Sequence, residues 1–202
     1  MKNTEKDIEI TIASEEHLVY VPDIKQALIA ASQQKNTGIA VRSSSYLTEK
    51  IREGKSVVAS SKDGQWAGFC YIESWGHNRF VANSGLVISP GFRGMGLASE
   101  IKKRALELSK KLFPGAKLFG LTTNLAVMKI NSRLGYKPVT FSELTDDEQF
   151  WKGCETCPYY DILVRTRRTH CLCTAMILDP ADETKVNGEK HKSGIKVKIN
   201  HT

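Results

Sequence analysis

Alternating hydrophobic and polar positions along the chain predict several short β-strands. The first is expected at residues 8–13, and another covers residues 79–89, where Gly85 suggests a bulge. Two hydrophobic runs flank Lys62, Asp63 and Gly64 and predict a hairpin, because Asp-Gly is a strong turn signal. Further strands are predicted at residues 116–123, 159–164 and 173–178.

Hydrophobic residues spaced three and four positions apart predict four helices. The first starts near Asp23, and the second runs from a cap at Ser44 or Ser45 to Gly54. The fourth starts after Asn124 as N-cap and ends at Gly135. The third helix, Leu97–Leu112, has two faces: Ile101, Ala105, Leu108 and Leu112 on the apolar one, and Lys102, Lys103, Lys110 and Lys111 on the polar one.

The order of these elements indicates a mixed α/β fold, because a run of strands leads into alternating helices and strands. The chain has 202 residues and an ordinary composition, with 41% hydrophobic and 25% charged residues, which suits one domain at residues 1–180. Residues 141–153 are interpreted as a surface loop, with a short capped helix as the alternative. Residues 150–178 are interpreted as a cysteine-rich extension, and the lysine-rich residues 181–202 as a mobile polar tail.

The net charge of +7 suits an anionic ligand, but it is too dispersed to indicate nucleic-acid binding. No apolar run approaches the ~18 residues of a membrane span. The N-terminal residues MKNTEKDIEI lack the apolar core of a secretion signal. We therefore expect a cytoplasmic protein that binds neither nucleic acid nor membranes; the sequence also allows a homodimer.

Small residues alternate with larger ones in the segment RGMGLA, Arg93 to Ala98, where the third helix begins. Helix N-termini expose unpaired backbone N–H groups with a partial positive charge, so this loop is expected to hold a phosphate or pyrophosphate. The loop lacks the Gly-Lys-Ser/Thr of a P-loop, and Ser99 stands where a dinucleotide fingerprint has its third glycine. The alternative is a glycine-rich turn without a ligand.

Two motifs resemble those of the GNAT acyl-CoA N-acyltransferases. Arg93-x-x-Gly96-x-Ala98 is similar to the family's Arg/Gln-x-x-Gly-x-Gly/Ala signature, and the helix from Asn124 to Gly135 and Tyr136 resembles its second motif. The element order also agrees over residues 8–141. The resemblance implies a GNAT-like mixed α/β fold, with a central, mostly antiparallel twisted sheet, a splayed strand pair and flanking helices.

The resemblance further implies acetyl-CoA, or another acyl-CoA, as the cofactor. Its pyrophosphate would lie on the backbone N–H groups of the glycine loop. Its pantetheine arm would pair with the strand before that loop and reach the start of the fourth helix. The implied CoA-binding residues are Leu86, Val87, Ile88, Arg93, Gly94, Met95, Gly96, Leu97, Ala98 and Asn124.

Acyl transfer to an amine needs a base for the amine and a proton for the departing thiolate. The family's usual acid is a tyrosine in the second motif, and that position is Asn131 here. Tyr136 or a water would replace it, unless the thiolate leaves unaided. Glu73 and His77, at the tip of the hairpin, are the nearest candidates for the base. A backbone N–H at the splay would polarise the thioester carbonyl.

The whole chain also resembles short stand-alone GNAT proteins of bacterial arginine biosynthesis, whose acceptor is thought to be glutamate; residues 66–77, 120–131 and 171–176 carry this likeness. It implies an enzyme that moves acetyl or succinyl from CoA to a small amine, with L-glutamate as the best candidate. Arginines suit its two carboxylates, so Arg42 and Arg79 are candidate acceptor-binding residues. The alternatives are a protein or peptide acceptor, a CoA-binding regulator without turnover, and a zinc-containing nucleic-acid binder.

Four of the five cysteines form two closely spaced pairs, Cys154 with Cys157 and Cys171 with Cys173. This pairing resembles a four-thiolate zinc site, which would be structural and would staple the C-terminal strands. The alternatives are reduced cysteines packed in the last strands, or a disulfide under oxidising conditions.

Overall fold

A single mixed sheet runs through the computed structural model, which describes residues 7–34 and 37–182. Within this part of the chain the sheet has seven strands in the order β1-β2-β3-β4-β5-β7-β6, and only the β4–β5 pair is parallel. The mostly antiparallel α/β fold is therefore confirmed. The strands are β1 (Ile8–Ile12), β2 (Ser56–Ser61), β3 (Trp66–Trp75), β4 (Phe80–Ile88), β5 (Lys117–Thr122), β6 (Lys137–Val139) and β7 (Thr174–Leu178).

Helices cover both faces of the sheet. They are α1 (Val21–Ser32), α2 (Ser44–Arg52), α3 (Leu97–Leu112), α4 (Leu125–Arg133), α5 (Glu148–Lys152) and α6 (Tyr160–Arg165). Alternation along β3 shows the layering, because Cys70 and Ile72 pack with α3 whereas Phe69 and Tyr71 pack with α1 and α2. Residues of α5 and α6 cover β5 and β7 in a third cluster. None of the helices among the described residues is both long and apolar enough to cross a membrane.

The parallel strands β4 and β5 diverge soon after they meet. They pair only from Phe80–Ala82 to Lys117–Phe119, although β4 continues to Ile88. Against β3, β4 has a register shift, since Phe69 faces Val87 while Tyr71 faces Ser84. The extra β4 residue falls at Gly85 and Leu86, so the predicted bulge and the predicted splay are both present.

Gly85 is required at this bulge for two reasons. Its φ of +64° lies in the left-handed region, which favours glycine. A Cβ at this position would also lie 2.7 Å from Cδ1 of the Tyr71 ring, well inside van der Waals contact. The ring of Tyr71 therefore packs directly against the backbone of the bulge.

Several sequence-based assignments were wrong in detail. Residues 159–164 were predicted as a strand but largely form α6, which buries Leu163 and leaves Val164 54% exposed. A short apolar run of this kind fits either element. The cap of α2 is Ser43, whose hydroxyl accepts from Tyr46 N at 3.1 Å, rather than Ser44 or Ser45.

The remaining differences concern α3 and the C-terminal part. Leu112 is 42% exposed and Lys102 only 2% exposed, which reverses the faces assigned to them. Residues 141–153, interpreted as a loop, contain the short helix α5, which begins at Asp147 as N-cap. Strand β6 was not predicted. Of the predicted tail, residues 183–202 lie outside the described residues.

Replacing Gly85 with alanine is expected to destabilise the fold more than replacing Gly64, which serves as the matched control. Both glycines have positive φ, but a Cβ at Gly64 meets nothing within 4 Å. The left-handed conformation costs each variant about 1–2 kcal/mol. Overpacking against Tyr71 should add about 1–3 kcal/mol to Gly85→Ala. Denaturant unfolding of both variants measures the difference, and equal losses would contradict the close contact.

Candidate active site

The glycine loop between β4 and α3 forms an open cradle. The buried side chains of Phe92 and Leu97 anchor its two ends in the core. Between them Gly94 and Gly96 both have φ +80°, and nothing lies within 4 Å of where a Cβ would be. The backbone of the loop is therefore exposed on the side where a ligand would approach.

The backbone N–H groups of this cradle are available for an anion. In the described chain, the N–H groups of residues 94–98 donate no intramolecular hydrogen bond, and the first backbone bond of α3 runs from Ser99 N to Gly96 O at 3.0 Å. Helix α3 has 16 residues, so its dipole adds positive potential at the same point. A diphosphate suits this arrangement of donors.

A cleft opens where β4 and β5 diverge, with a volume of about 260 Å³. Its walls are residues 82–86 of β4, residues 119–124 of β5 and its end, the segment 37–42 before α2, and parts of the segment 153–173. Of the predicted pantetheine contacts, Leu86 and Asn124 line the cleft. Val87 and Ile88 do not line it, and the side chain of Val87 packs in the core beneath α1 and α2.

The segment 37–42 closes one side of the cleft and is tied down at both ends. Gly38 N donates to Thr123 Oγ1 at 3.0 Å, and Nη1 of Arg42 donates to the Gly153 carbonyl at 2.9 Å. A Cβ at Gly38 would lie 3.1 Å from Cγ2 of Thr123, so the segment packs tightly over the end of β5.

Asn131 and Tyr136 occupy different environments. Asn131 lines the cleft and is 1% exposed, and its Oδ1 is buried without a hydrogen-bond partner among the described residues. Tyr136 lies beneath the cleft rather than in its wall, and its hydroxyl donates to Asn83 Oδ1 at 2.9 Å. Burial raises the pKa of Tyr136 above its ordinary value. The position of Tyr136 therefore does not support it as the acid that protonates the thiolate.

Glu73 forms a polar cluster with Tyr46 and Lys50 of α2. Its carboxylate accepts a hydrogen bond from the Tyr46 hydroxyl and pairs with Nζ of the buried Lys50 at 2.9 Å. Burial raises the pKa of Glu73 to about 7, although nearby Arg42 opposes this rise. The Lys50 ammonium also favours the charged form, and with a pKa of about 7 the carboxyl is partly ionised at neutral pH and fully ionised well above it.

His77 lies away from the cleft. It is exposed in the turn between β3 and β4, with a positive φ of 56°. That turn lies at the end of β4 opposite the bulge, and His77 is not part of the cleft lining. Its position therefore gives no support to a role as the base.

The two candidate arginines are also separated. Arg42 lines the cleft, and its Nε donates to the Tyr71 hydroxyl at 2.9 Å. Arg79 precedes β4 in the distant turn, where its Nε donates to the Gly76 carbonyl at 3.0 Å. Only Arg42 is therefore placed to meet a ligand in the cleft.

The zinc interpretation of the cysteines is not supported. In residues 7–34 and 37–182, no group of three or more His, Cys, Asp or Glu side chains is arranged to hold a metal ion. The four cysteines are free thiols in the wall of the cleft. Burial raises the pKa of Cys154 to about 11, so its thiol stays protonated. The alternative of packed, reduced cysteines agrees with this arrangement.

A glycine loop with free backbone N–H groups beside a cleft between two splayed strands is the arrangement expected of a protein that binds an acyl-CoA. The sequence family model for the acetyltransferase (GNAT) family matches residues 26–136. The chain therefore belongs to the GNAT acetyltransferase family, as its motifs indicated, and is an enzyme that transfers an acyl group from CoA to an amine. No curated protein sequence matches the chain significantly.

Solved structures share the fold at low sequence identity. Rv2747 from Mycobacterium tuberculosis, in complex with CoA, is 17% identical with a TM-score of 0.61 over 85% of this chain and 98% of its own. N-acetylglutamate synthase from Neisseria gonorrhoeae, complexed with coenzyme A and N-acetyl-glutamate, is 17% identical with a TM-score of 0.62, over 87% of this chain but 36% of its own. A Sinorhizobium meliloti phosphinothricin acetyltransferase in complex with AcCoA is 14% identical with a TM-score of 0.57, over 85% and 88% of the two chains.

A negative charge in the glycine cradle should weaken CoA binding. Gly96→Asp places a carboxylate beside the bound diphosphate, whereas Gly96→Asn has the same shape without the charge. Both side chains tolerate the left-handed backbone of this residue better than others do. We expect Gly96→Asp to bind CoA at least about tenfold more weakly than Gly96→Asn, which is about 1.4 kcal/mol.

Calorimetric titration with CoA measures this difference at two salt concentrations. The difference in CoA affinity between the two variants should become smaller at high salt, because the loop is exposed and salt screens the repulsion between the carboxylate and the diphosphate. Equal affinities at low salt would show that the diphosphate does not lie in this cradle.

Proposed function

We propose that the protein transfers an acetyl group from CoA to the amine of a small carboxylate-bearing acceptor, with L-glutamate as the best candidate. The amine attacks the thioester directly while both substrates are bound. The observation that carries this proposal is the position of Arg42 in the wall of the cleft. This assignment would also place the protein in amino-acid biosynthesis, in the cytoplasm.

Arg42 is held in place and still has donors to offer. The Tyr71 hydroxyl and the Gly153 carbonyl each accept one of its N–H groups. An arginine has about five N–H donors, so about three remain for a ligand. Its planar fork suits a carboxylate, which it binds with two parallel hydrogen bonds.

The comparisons support a glutamate-like acceptor without deciding it. The gonococcal enzyme named N-acetylglutamate synthase has been solved with N-acetyl-glutamate bound, and its fold resembles that of the present chain. An identity of 17% carries over the fold alone. The specific acceptor therefore rests on Arg42 and on the motif resemblance, and the size of the acyl group stays open between acetyl and succinyl.

The residues of the chain have separable roles in this proposal. The cradle at residues 94–98 binds the diphosphate, and the part of β4 beyond its pairing with β5 has backbone groups available to the pantetheine arm. A backbone N–H near the bulge stabilises the negative charge that develops on the thioester carbonyl oxygen. Glu73 takes the proton from the amine through water, because neither Glu73 nor its partner Tyr46 lines the cleft.

The experiment that tests the acceptor is a panel of amines assayed by release of the CoA thiol. The panel contains the common amino acids, a peptide with a free N-terminus and simple amines without a carboxylate, each with acetyl-CoA and with succinyl-CoA. We expect the highest kcat/KM for an acidic amino acid. A preference for the peptide or for amines without carboxylates would contradict the proposal, and no turnover at all would favour a CoA-binding regulator.

Arg42→Ala should raise the KM for the acceptor much more than the KM for acetyl-CoA. A hydrogen-bonded charge contributes about 1.5–3 kcal/mol, so the expected rise is about 10- to 100-fold. Arg52→Ala is the matched control, because Arg52 lies on α2 with its side chain 59% exposed. Steady-state kinetics of both variants measure the split, and an equal change in the two KM values would remove Arg42 from acceptor binding.

Glu73→Gln should lower kcat/KM near neutral pH and change its pH dependence. A base acts in its ionised form, so wild-type activity should rise with pH as the Glu73 carboxyl, with its pKa of about 7, loses its proton. The variant should lack this rise. Glu49→Gln is the control, since Glu49 also pairs with Lys50, at 3.3 Å, but its side chain is 60% exposed. A rise that persists in Glu73→Gln would exclude Glu73 as the base.

A further inference from the structure

One lysine of α3 is buried although the other lysines of this helix lie on its outer face. Lys102 is 2% exposed, whereas Lys103, Lys110 and Lys111 are exposed. Lys102 lines the cleft together with residues 83–86 of β4. Its side chain therefore crosses the packed side of the helix and reaches the place where β4 bulges away from β5.

The groups that surround Lys102 carry no negative charge. Burial raises the pKa of the Cys70 thiol on β3 to about 11 and also raises that of Tyr136, so both stay protonated near neutral pH. Strand β4 and helix α4 contribute the amides of Asn83 and Asn131 to the same wall, and β1 and β2 contribute no titratable side chain to it. Among the described residues, no carboxylate pairs with Lys102.

The ammonium group has an aromatic contact. Nζ of Lys102 lies 5.6 Å from the centre of the Tyr136 ring, which is a cation–π distance. A ring face compensates only part of the cost of burying a charge. A buried ammonium without a counter-charge suggests that an anion arrives with the ligand.

Asn131 gives a second, independent indication that this wall is built for a ligand. Its Oδ1 is buried and without a partner in the described chain, and the residue lines the cleft. Buried polar atoms are nearly always hydrogen-bonded, so this oxygen is expected to accept from a bound molecule. The amide N–H groups of a pantetheine arm are donors of the right kind.

We propose that Lys102 is the general acid of the transfer, and that its ammonium group meets the CoA sulfur as the carbon–sulfur bond breaks. The inference rests on the proposed transfer from an acyl-CoA, but not on the identity of the acceptor. Lys102 takes the role of the family's usual tyrosine, because the amide of Asn131, which stands at that position, cannot donate a proton in the same way.

Protons and electrons are conserved in this step. The acceptor nitrogen forms a bond to the thioester carbon, and the electron pair of the carbon–sulfur bond passes to sulfur. Lys102 gives one proton to the sulfur and becomes neutral, so free CoA thiol leaves. The proton lost by the acceptor nitrogen passes to the base and then, through solvent, restores the Lys102 ammonium.

The buried environment of Lys102 also favours proton donation to the sulfur. Burial lowers the pKa of Lys102 below that of an ordinary lysine. A lower pKa makes the ammonium a stronger proton donor towards the departing sulfur. The charge is also placed in advance where negative charge develops, and it interacts more strongly with the departing thiolate than with the neutral thioester.

The test compares the binding of CoA and of desulfo-CoA, which lacks the sulfur, by calorimetry from about pH 6 to about pH 9. Wild-type protein should prefer CoA by at least about tenfold at the best pH; the preference should grow as the thiolate forms and fall again where Lys102 itself loses its proton. Lys102→Met should lose the preference while it still binds desulfo-CoA normally. Lys103→Met, which alters the exposed neighbour, should behave as the wild type.

An unchanged preference for CoA in Lys102→Met would overturn the proposal. This variant is expected to fold, because it replaces an unpaired buried charge with an apolar side chain of similar length; Lys102→Gln gives the same comparison if it does not. In turnover, Lys102→Met should lower kcat by about 100-fold or more and remove the fall in activity at high pH. A wild type that acylates no amine would defeat the proposed function, whereas the binding comparison would still decide whether the Lys102 ammonium meets the CoA sulfur.

Discussion

The contact between the Tyr71 ring and the backbone of Gly85 governs the geometry of the cleft. Because no Cβ stands in the way, the ring occupies the space where any other residue would have a side chain, and β4 bulges there. The bulge lies where β4 has already stopped pairing with β5, so the end of β4 stays apart from its parallel neighbour. A sheet that is otherwise continuous is thereby opened at one point, with backbone donors and acceptors left free in its middle.

The same contact links the two sides of the active site. Tyr71 packs against the bulge with its ring and accepts a hydrogen bond from Arg42 with its hydroxyl. In the proposed function, the bulge would face the acyl donor and Arg42 would face the acceptor. Tyr71 thus fixes the distance between the bulge and Arg42, and direct attack in the proposed reaction would require a rigid spacing of this kind.

The parts of the fold that the sequence predicted are those with strong local rules. Positive φ at Gly94 and Gly96, the cap at Asn124 and the glycine at the bulge each need a particular residue type, so the type reveals the structure. Long, regularly spaced helices such as α3 were equally predictable. The short α6 was not, because six residues with mixed character fit a helix or a strand, and only the packing of Leu163 against the third cluster decides.

The side chains around the cleft were harder to predict because their roles depend on contacts far apart in the chain. Helical periodicity placed Lys102 on the polar face of α3, and only the position of α4 and Tyr136 shows that this part of the helix is covered. Arg42 and Arg79 were equivalent in sequence, and they differ only because the 37–42 segment folds over the end of β5. The cysteine spacing resembled a zinc site, but spacing alone does not fix how thiols point in space.

The anchoring of segment 37–42 has a consequence for the order of events in a catalytic cycle. This segment forms one wall of the cleft, and its tether at Gly38 is the hydroxyl of Thr123, next to Asn124 at the start of α4. Moving the segment breaks at least two hydrogen bonds, which costs about 0.5–1.5 kcal/mol each. An acyl-CoA bound against Asn124 would therefore keep segment 37–42 in its anchored position. In the proposed reaction, acyl-CoA would therefore bind before the amine, and the acylated product would leave before CoA.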